Sequence, residues 1–213
     1  MGYRHLEELR NEWRERRTVI ERRLRDFRRV GGGTDRGMFA ELAFCLLAIQ
    51  TSARRSDEAV RALAANGLLW RGSRRPIAAF LRRRIRFHNH KAAYIVAARE
   101  RFHGGESLGG WLRATPPNEA REHLVREVDG FGYKEASHFL RNVGRGEDFA
   151  ILDRHILRNL VHHGVIREVP KSLTARRYLV IEDRVRAFAE DVQIPIAAID
   201  LLFWSRETGE VFK

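Results

Sequence analysis

The apolar residues of this chain recur at the three- and four-residue spacing of α-helices, in segments that glycine and proline separate. The first segment covers about residues 4–29 and ends at Gly31-Gly32-Gly33. The segment Met38–Gln50 is apolar nearly all round, which is typical of a central, buried helix. Further segments follow at about 56–66, 76–83, 91–102, 116–128, 133–143, 153–163, 172–191 and 195–206. Because the alternation of a β-strand is not found, we predict an all-α fold of about ten helices.

The charge of the chain favours a polyanionic partner. The formal net charge is +12 at pH 7, and nucleic acid is the commonest partner of such a protein. Arginine supplies nearly all of the positive charge, however, so a proteome with a basic compositional bias explains the net charge equally well. The scarcity of lysine makes each one informative: the sequence has only Lys91, Lys134, Lys171 and Lys213.

The single cysteine and the lack of long apolar runs indicate the cellular compartment in which we expect the protein. Cys45 has no second cysteine with which to form an internal disulfide, and a four-cysteine iron–sulfur cluster is excluded. No apolar run approaches the roughly 20 residues of a membrane span. The N-terminal segment has neither an apolar stretch nor a small-residue cleavage site. We therefore expect an intracellular protein, in the cytoplasm or nucleoid, without a membrane partner.

The most informative stretch is a predicted helical hairpin at about residues 118–143. Its two helices are joined by the short turn Gly130-Phe131-Gly132. Glycines let the backbone approach a ligand closely, and the free N–H groups that begin the second helix favour an anion. The pattern predicts a helix-hairpin-helix that binds a DNA phosphate at Gly130 and Gly132. An ordinary αα-hairpin with a glycine-rich turn is the alternative.

Two residues near the hairpin form a candidate catalytic pair. Lys134 lies in the first turn of the second helix, where the helix dipole disfavours the protonated amine. A neutral amine can attack carbon and form a Schiff base. Asp153 follows nineteen positions later, at the start of another helix. Alone, Lys134 would be read as a phosphate-binding residue and Asp153 as a helix cap, so the pairing carries the prediction.

The sequence resembles the helix-hairpin-helix superfamily of base-excision DNA glycosylases, and within it the archaeal-type, second family of 8-oxoguanine DNA glycosylases. The resemblance spans roughly residues 38–213. The matching phrases are Phe44-Cys45-Leu46-Leu47, Arg84-Ile85-Arg86-Phe87-His88-Asn89, Gly132-Tyr133-Lys134-Glu135-Ala136-Ser137-His138-Phe139-Leu140-Arg141-Asn142, Ile151-Leu152-Asp153-Arg154-His155-Ile156-Leu157 and Asp200-Leu201-Leu202-Phe203-Trp204, followed by the tail from Gly209 to Lys213. The loop before Asp153 lacks the proline that the superfamily usually has there.

This resemblance implies roles for the catalytic and DNA-binding residues. Lys134 would attack C1′ of the damaged nucleotide, while Asp153 would activate the amine and stabilise the developing sugar cation. Gln50 matches a residue that helps to fill the space left by a flipped base. His155 matches a residue that contacts a phosphate at a helix start.

The same resemblance suggests how the damaged base is read. Phe87 and Trp204 are candidates to sandwich the extruded base, since aromatic rings stack on any base. Asp200 lies four residues before Trp204 and shares its helix face. Lys213 matches the terminal lysine with which the compact family members distinguish 8-oxoguanine from guanine. For a lone Phe or Trp, a place in the core is the simpler interpretation.

Together these features predict one unit over residues 1–213, with two helical lobes and the hairpin at the mouth of their cleft. We expect a monomer that excises 8-oxoguanine from double-stranded DNA and cleaves the strand at abasic sites by β-elimination. We expect it to use no organic cofactor and no metal. The letters His88-Asn89-His90 match a nuclease motif, but that motif needs two strands and a helix around a metal ion. Because this segment begins a helix in a chain predicted to be all-α, we reject the nuclease interpretation. Two alternatives remain open: a superfamily member for oxidised pyrimidines, and a non-catalytic helix-hairpin-helix module that only binds DNA.

Overall fold

The protein was analysed as a computed structural model, which describes residues 2–103 and 107–213. Helices supply all of the regular secondary structure in these two ranges, so the predicted all-α fold is confirmed. The helices are α1 (Leu6–Gly31), α2 (Asp35–Ala48), α3 (Ala53–Ala65), α4 (Leu68–Arg71), α5 (Arg74–Leu81), α6 (His88–His103), α7 (Leu108–Ala114), α8 (Pro117–Glu127), α9 (Tyr133–Asn142), α10 (Arg154–His162), α11 (Ala175–Val192) and α12 (Ile196–Thr208).

The differences from the predicted helices have local causes. Helix α3 begins before Ser56 because the side chain of Ser52 caps it, accepting the N–H of Arg55. Helices α4 and α7, which are four and seven residues long, are not among the predicted segments. Such short helices show too little periodicity to be recognised, and α7 contains two glycines, Gly109 and Gly110.

The buried apolar side chains form two clusters. One is built from α2 to α9 and is centred on α2, most of whose side chains are buried. The other is built from α1, the segment 150–152 and α10 to α12. Helix α2 packs against α3, α6, α7 and α9, while α12 packs against α1, α10 and α11. The start of α9, the start of α10 and α12 meet where the two clusters adjoin.

The hairpin between α8 and α9 is tight and partly buried. Phe131 is buried and donates its N–H to the carbonyl of Val128 at 3.0 Å. Gly130 has a φ of 86°, a left-handed conformation that favours glycine, and a Cβ there would lie 2.8 Å from the ring of Tyr94. The turn therefore needs glycine at 130 for both its conformation and its packing.

Among the described residues, no helix is long and apolar enough to cross a membrane.

Candidate active site

A cavity of about 530 Å³ opens where the two clusters adjoin. It is lined by the C-terminal end of α2 and the residues after it, by α9, by the start of α10, by α12 and by the last residue. Seven of the predicted site residues line it: Gln50, Lys134, Asp153, His155, Asp200, Trp204 and Lys213. The fold thus brings together side chains that lie more than 160 positions apart in sequence.

Lys134 lies in the first turn of α9, and 23% of its side chain is exposed. The carboxylate closest to its amine is that of Glu135, with Nζ 3.7 Å from Oε1, which is longer than a hydrogen bond. Glu135 in turn accepts the N–H of Gly132 at 3.2 Å and so caps α9. One of the backbone donors that we expected to hold a phosphate is therefore satisfied within the hairpin.

Asp153 is the N-cap of α10. Its Oδ1 accepts the N–H of Ile156 at 2.8 Å, which fixes the carboxylate at the positive end of the helix. Burial raises the pKa of Asp200, and the negative charge of Asp153, which lines the same cavity, adds to that effect. Asp153 is thus both a helix cap and a charged group on the cavity wall.

Asp200 pairs with an arginine that the sequence analysis did not single out. Arg141 Nη2 donates to Asp200 Oδ2 at 2.9 Å, and both residues are buried. Burial raises the pKa of Asp200 to about 6, although the positive charge of Arg141 acts in the opposite direction. The pair places a fixed acceptor and a fixed cation on one wall of the cavity.

Lys213 is held firmly on the cavity wall. Its Nζ donates to Glu41 Oε1 at 2.8 Å and to Asp57 Oδ1 at 2.7 Å, and it lies 4.7 Å from the centre of the Phe44 ring. We did not predict Glu41 or Asp57. A signal for Glu41 exists, because it is the only carboxylate within the apolar run of α2 and a buried carboxylate needs a partner.

The segment that carries Gln50 is anchored by a buried lysine. Lys91 Nζ donates to the carbonyls of Leu47 and Ile49 at 2.7 and 2.5 Å and to the hydroxyl of Thr51 at 3.1 Å. Burial and the nearby charge of Arg86 lower the pKa of Lys91 to about 8. These bonds hold Gln50 in a left-handed conformation, with a φ of 52°, beside the cavity.

His155 and Trp204 form an aromatic pair on the cavity wall. Their rings pack edge to face with centroids 5.6 Å apart. His155 Nδ1 also lies 3.6 Å from Glu207 Oε2. Trp204 is only partly buried, whereas its neighbours Phe203 and Ser205 on α12 are buried. Its ring is therefore available to a ligand rather than fully packed in the core.

Phe87 does not line the cavity in this structure. The residue is 51% exposed, and its backbone has a φ of 55°. The guanidinium of Arg86 lies 5.4 Å from its ring centre. A sandwich of the base between Phe87 and Trp204 stays a prediction, because Trp204 lines the cavity whereas Phe87 does not.

One group of side chains away from the cavity has the composition of a metal site. His5, Glu8 and His162 lie together on the surface, among the residues that the structure describes. The two imidazoles are stacked, however, with centroids 4.1 Å apart and planes 10° from parallel. Lone pairs in two parallel planes do not converge on one ion, so we assign no metal site here.

Known proteins resemble this chain over most of its length. The family model described as "8-oxoguanine DNA glycosylase" matches residues 20–194. An 8-oxoguanine DNA glycosylase/AP lyase of Fusobacterium nucleatum is 41% identical over 213 residues, with 98% of each chain covered. A protein of the same name from Methanocaldococcus jannaschii is 37% identical and covers the whole of both chains.

Two solved structures are similar over nearly the whole chain. The 8-oxoguanine DNA glycosylase of Thermotoga maritima superposes with a TM-score of 0.87, at 36% identity, with 98% of both chains covered. The Methanocaldococcus jannaschii 8-oxoguanine glycosylase/lyase, in complex with a 15mer DNA containing 8-oxoguanine, gives a TM-score of 0.85 at 34% identity. That match covers 97% of this chain and 100% of the other.

Proposed function

This chain belongs to the 8-oxoguanine DNA glycosylase family, and from that premise we propose that its cavity excises 8-oxoguanine from DNA and cleaves the resulting abasic strand. The observation that carries the proposal is the meeting of Lys134 and Asp153 in one cavity with Trp204 and the Asp200–Arg141 pair. This arrangement supplies an amine, a carboxylate, a stacking ring and polar wall groups, which are the parts that such a reaction needs.

The environments of the four lysines favour Lys134 as the nucleophile. The amine of Lys91 donates to two carbonyls and a hydroxyl, and that of Lys213 donates to two carboxylates. Lys171 is exposed and lies outside the cavity. The amine of Lys134 faces the cavity without a hydrogen bond to the described residues, since Glu135 stands 3.7 Å away. Lys134 is thus the lysine whose amine a substrate carbon can reach.

The proposed chemistry begins with attack of Lys134 Nζ on C1′ of the damaged nucleotide. A bond forms between Nζ and C1′ while the N-glycosidic bond breaks, and the base leaves with that electron pair. The sugar ring then opens as the C1′–O4′ electron pair moves to O4′, which takes up the proton that Nζ loses, and a Schiff base between Nζ and C1′ remains. Loss of a proton from C2′ expels the 3′ phosphate and cleaves the strand, and water finally releases the lysine.

Asp153 supports this reaction through its fixed negative charge. Positive charge develops on the sugar as the glycosidic bond breaks, and a nearby carboxylate stabilises that charge. Because the cap on α10 already holds the side chain in place, the stabilisation costs little reorganisation. We further propose that the same carboxylate accepts a proton from the attacking amine once the substrate is bound.

DNA is the partner of this cavity, and Gln50, Gly130, Gly132 and His155 are the residues that we propose contact it around the lesion. The net charge of +12 supports binding to the phosphate backbone.

We further propose that the protein acts as a monomer inside the cell. Light scattering of the protein bound to one duplex tests the stoichiometry, and a complex with two protein chains would contradict it.

A panel of lesions tests the proposed function. Duplexes carrying 8-oxoguanine, an oxidised pyrimidine, an unmodified guanine or an abasic site are incubated with the wild type and with Lys134→Ala. We expect the wild type to cleave at 8-oxoguanine and at abasic sites, and the variant to cleave neither. Preferential cleavage at the oxidised pyrimidine would move the substrate assignment to that lesion. DNA binding without any cleavage would leave only a binding module.

A further inference from the structure

One face of α9 presents three nitrogen-bearing side chains to the cavity. His138 lies four positions after Lys134 and three before Arg141, so the three share a helix face, and all three line the cavity. The roles of Lys134 and Arg141 follow from the site described above. His138, between them, has no role in that account.

His138 is buried without a hydrogen-bonding partner. Its residue is 7% exposed, and neither Nδ1 nor Nε2 hydrogen-bonds to any of the described residues. Its ring meets the edge of Phe44, with centroids 5.6 Å apart. A buried polar group without a partner costs free energy, and native proteins keep few of them. Arg141 Nε and Nη1 on the same face also lack a partner, so polar groups accumulate on this wall of the cavity.

The surroundings of His138 keep its ring neutral. Burial lowers the pKa of His138 well below its usual range, and the positive charges of Arg141, Lys134 and Lys213 lower it further. A neutral imidazole offers one donor and one acceptor. A neutral ring does not match a phosphate, which cations hold best. A neutral imidazole does match the polar edge of a nucleobase, and the base is the part of a flipped nucleotide that enters an enzyme pocket.

On the basis of the function proposed above, we propose that His138 is a specificity-determining residue that hydrogen-bonds to the edge of the flipped 8-oxoguanine. Binding of the base then satisfies a group that the protein itself leaves unpaired. The interaction belongs to the step that needs a base, which is excision. Cleavage at an abasic site, where no base is present, does not involve it.

The test compares two activities of the same variants. His138→Leu removes both hydrogen-bonding atoms, while His138→Gln keeps a neutral donor and acceptor. The exposed His162, changed to Gln, is the matched control because it lies outside the cavity. Single-turnover rates are measured on 8-oxoguanine duplex and on the same duplex with an abasic site.

For His138→Leu we expect the ratio of 8-oxoguanine excision to abasic-site cleavage to fall about tenfold or more, as for a lost buried hydrogen bond. His138→Gln should recover part of that ratio, and His162→Gln should keep the wild-type ratio. An unchanged ratio in His138→Leu would overturn the proposal, whether both rates persist or both fall together through poorer folding. Wild-type protein that fails to cleave abasic DNA would instead refute the proposed function itself.

Discussion

Lys213 Nζ donates to Asp57 Oδ1 at 2.7 Å, which fixes the last residue of the sequence against helix α3 on the wall of the candidate active-site cavity. A second bond to Glu41 and the ring of Phe44 complete its surroundings. The charged tip is therefore ordered before any base enters. This order makes Lys213 suitable for reading a small difference between two purines, because a preorganised group loses little entropy on binding.

We predict that Lys213→Met impairs both stability and selectivity. The variant removes the cation that Glu41 and Asp57 share, while Asp57 keeps its ion pair with Arg61, so the free energy of unfolding should fall by about 2 kcal/mol in urea titrations. The excision rate on 8-oxoguanine relative to guanine should also fall. Lys171→Met, at an exposed position outside the cavity, is the control and should change neither quantity. Full selectivity in Lys213→Met would show that this lysine does not read the base.

The two hairpin glycines should respond differently to alanine. Gly130 has a φ of 86° and no room for a Cβ beside Tyr94, so Gly130→Ala should lose about 1–3 kcal/mol of unfolding free energy. Gly132 has a φ of −111°, and a Cβ there would make an ordinary contact with Glu135 at 3.5 Å. Gly132→Ala should therefore fold with nearly wild-type stability in the same urea titration. Equal losses in the two variants would contradict the conformational argument.

Acid should weaken the fold through His163. Burial lowers the pKa of His163 to about 4 from its ordinary value of 6.5. Its ring is stacked against Phe203 and its Nδ1 lies 3.0 Å from the carbonyl of Arg4. Between pH 6.5 and 4 the unfolded chain binds the proton and the folded chain does not, so the free energy of unfolding decreases as the pH falls through this window.

The variant His163→Phe isolates that contribution, since a phenyl ring can keep the stacking but does not titrate. Urea titrations from pH 7 to pH 4 should show a smaller acid-induced loss of stability in the variant than in the wild type. The wild type must be compared directly with the variant, because in both proteins Asp200 changes the unfolding free energy with pH in the opposite direction to His163. Burial raises the pKa of Asp200 from 3.8 to about 6, so its contribution to stability decreases as the pH rises through that window. Parallel curves for the two proteins would show that His163 is not the source of the acid sensitivity.

All of the helices except the short α4 and α7 could be predicted from the sequence, which also selects Lys134 and Asp153 as candidate catalytic residues, for physical reasons. Helical periodicity and caps are local, so segments such as Tyr133–Asn142 can be recognised without a structure. Lys134 and Asp153 can be selected because both lie at helix starts, which a local pattern marks. The family resemblance then supplies the role expected of each. The pairing is nevertheless spatial, and only the folded chain shows both residues in one cavity.

The partners of buried polar groups could not be predicted in the same way. Glu41 meets Lys213 across 172 positions and Arg141 meets Asp200 across 59, and neither spacing is a recognisable pattern. His138 is part of a phrase that the resemblance covers, but its lack of a hydrogen-bond partner is visible only once its neighbours are placed. For Phe87 the opposite holds. The family resemblance selects this residue, but in the structure it is exposed, lies beside Arg86 and does not line the cavity.

Covalent trapping tests the central claim most directly. Sodium borohydride reduces a Schiff base to a stable amine, and the chain has only four lysines, so peptide mapping of the trapped complex identifies the attacking residue. With 8-oxoguanine duplex we predict one protein–DNA adduct, mapped to Lys134, absent in Lys134→Ala and retained in Lys171→Ala. An adduct mapped to another amine, or none with wild-type protein that still releases the base, would contradict the assignment of Lys134 as the nucleophile.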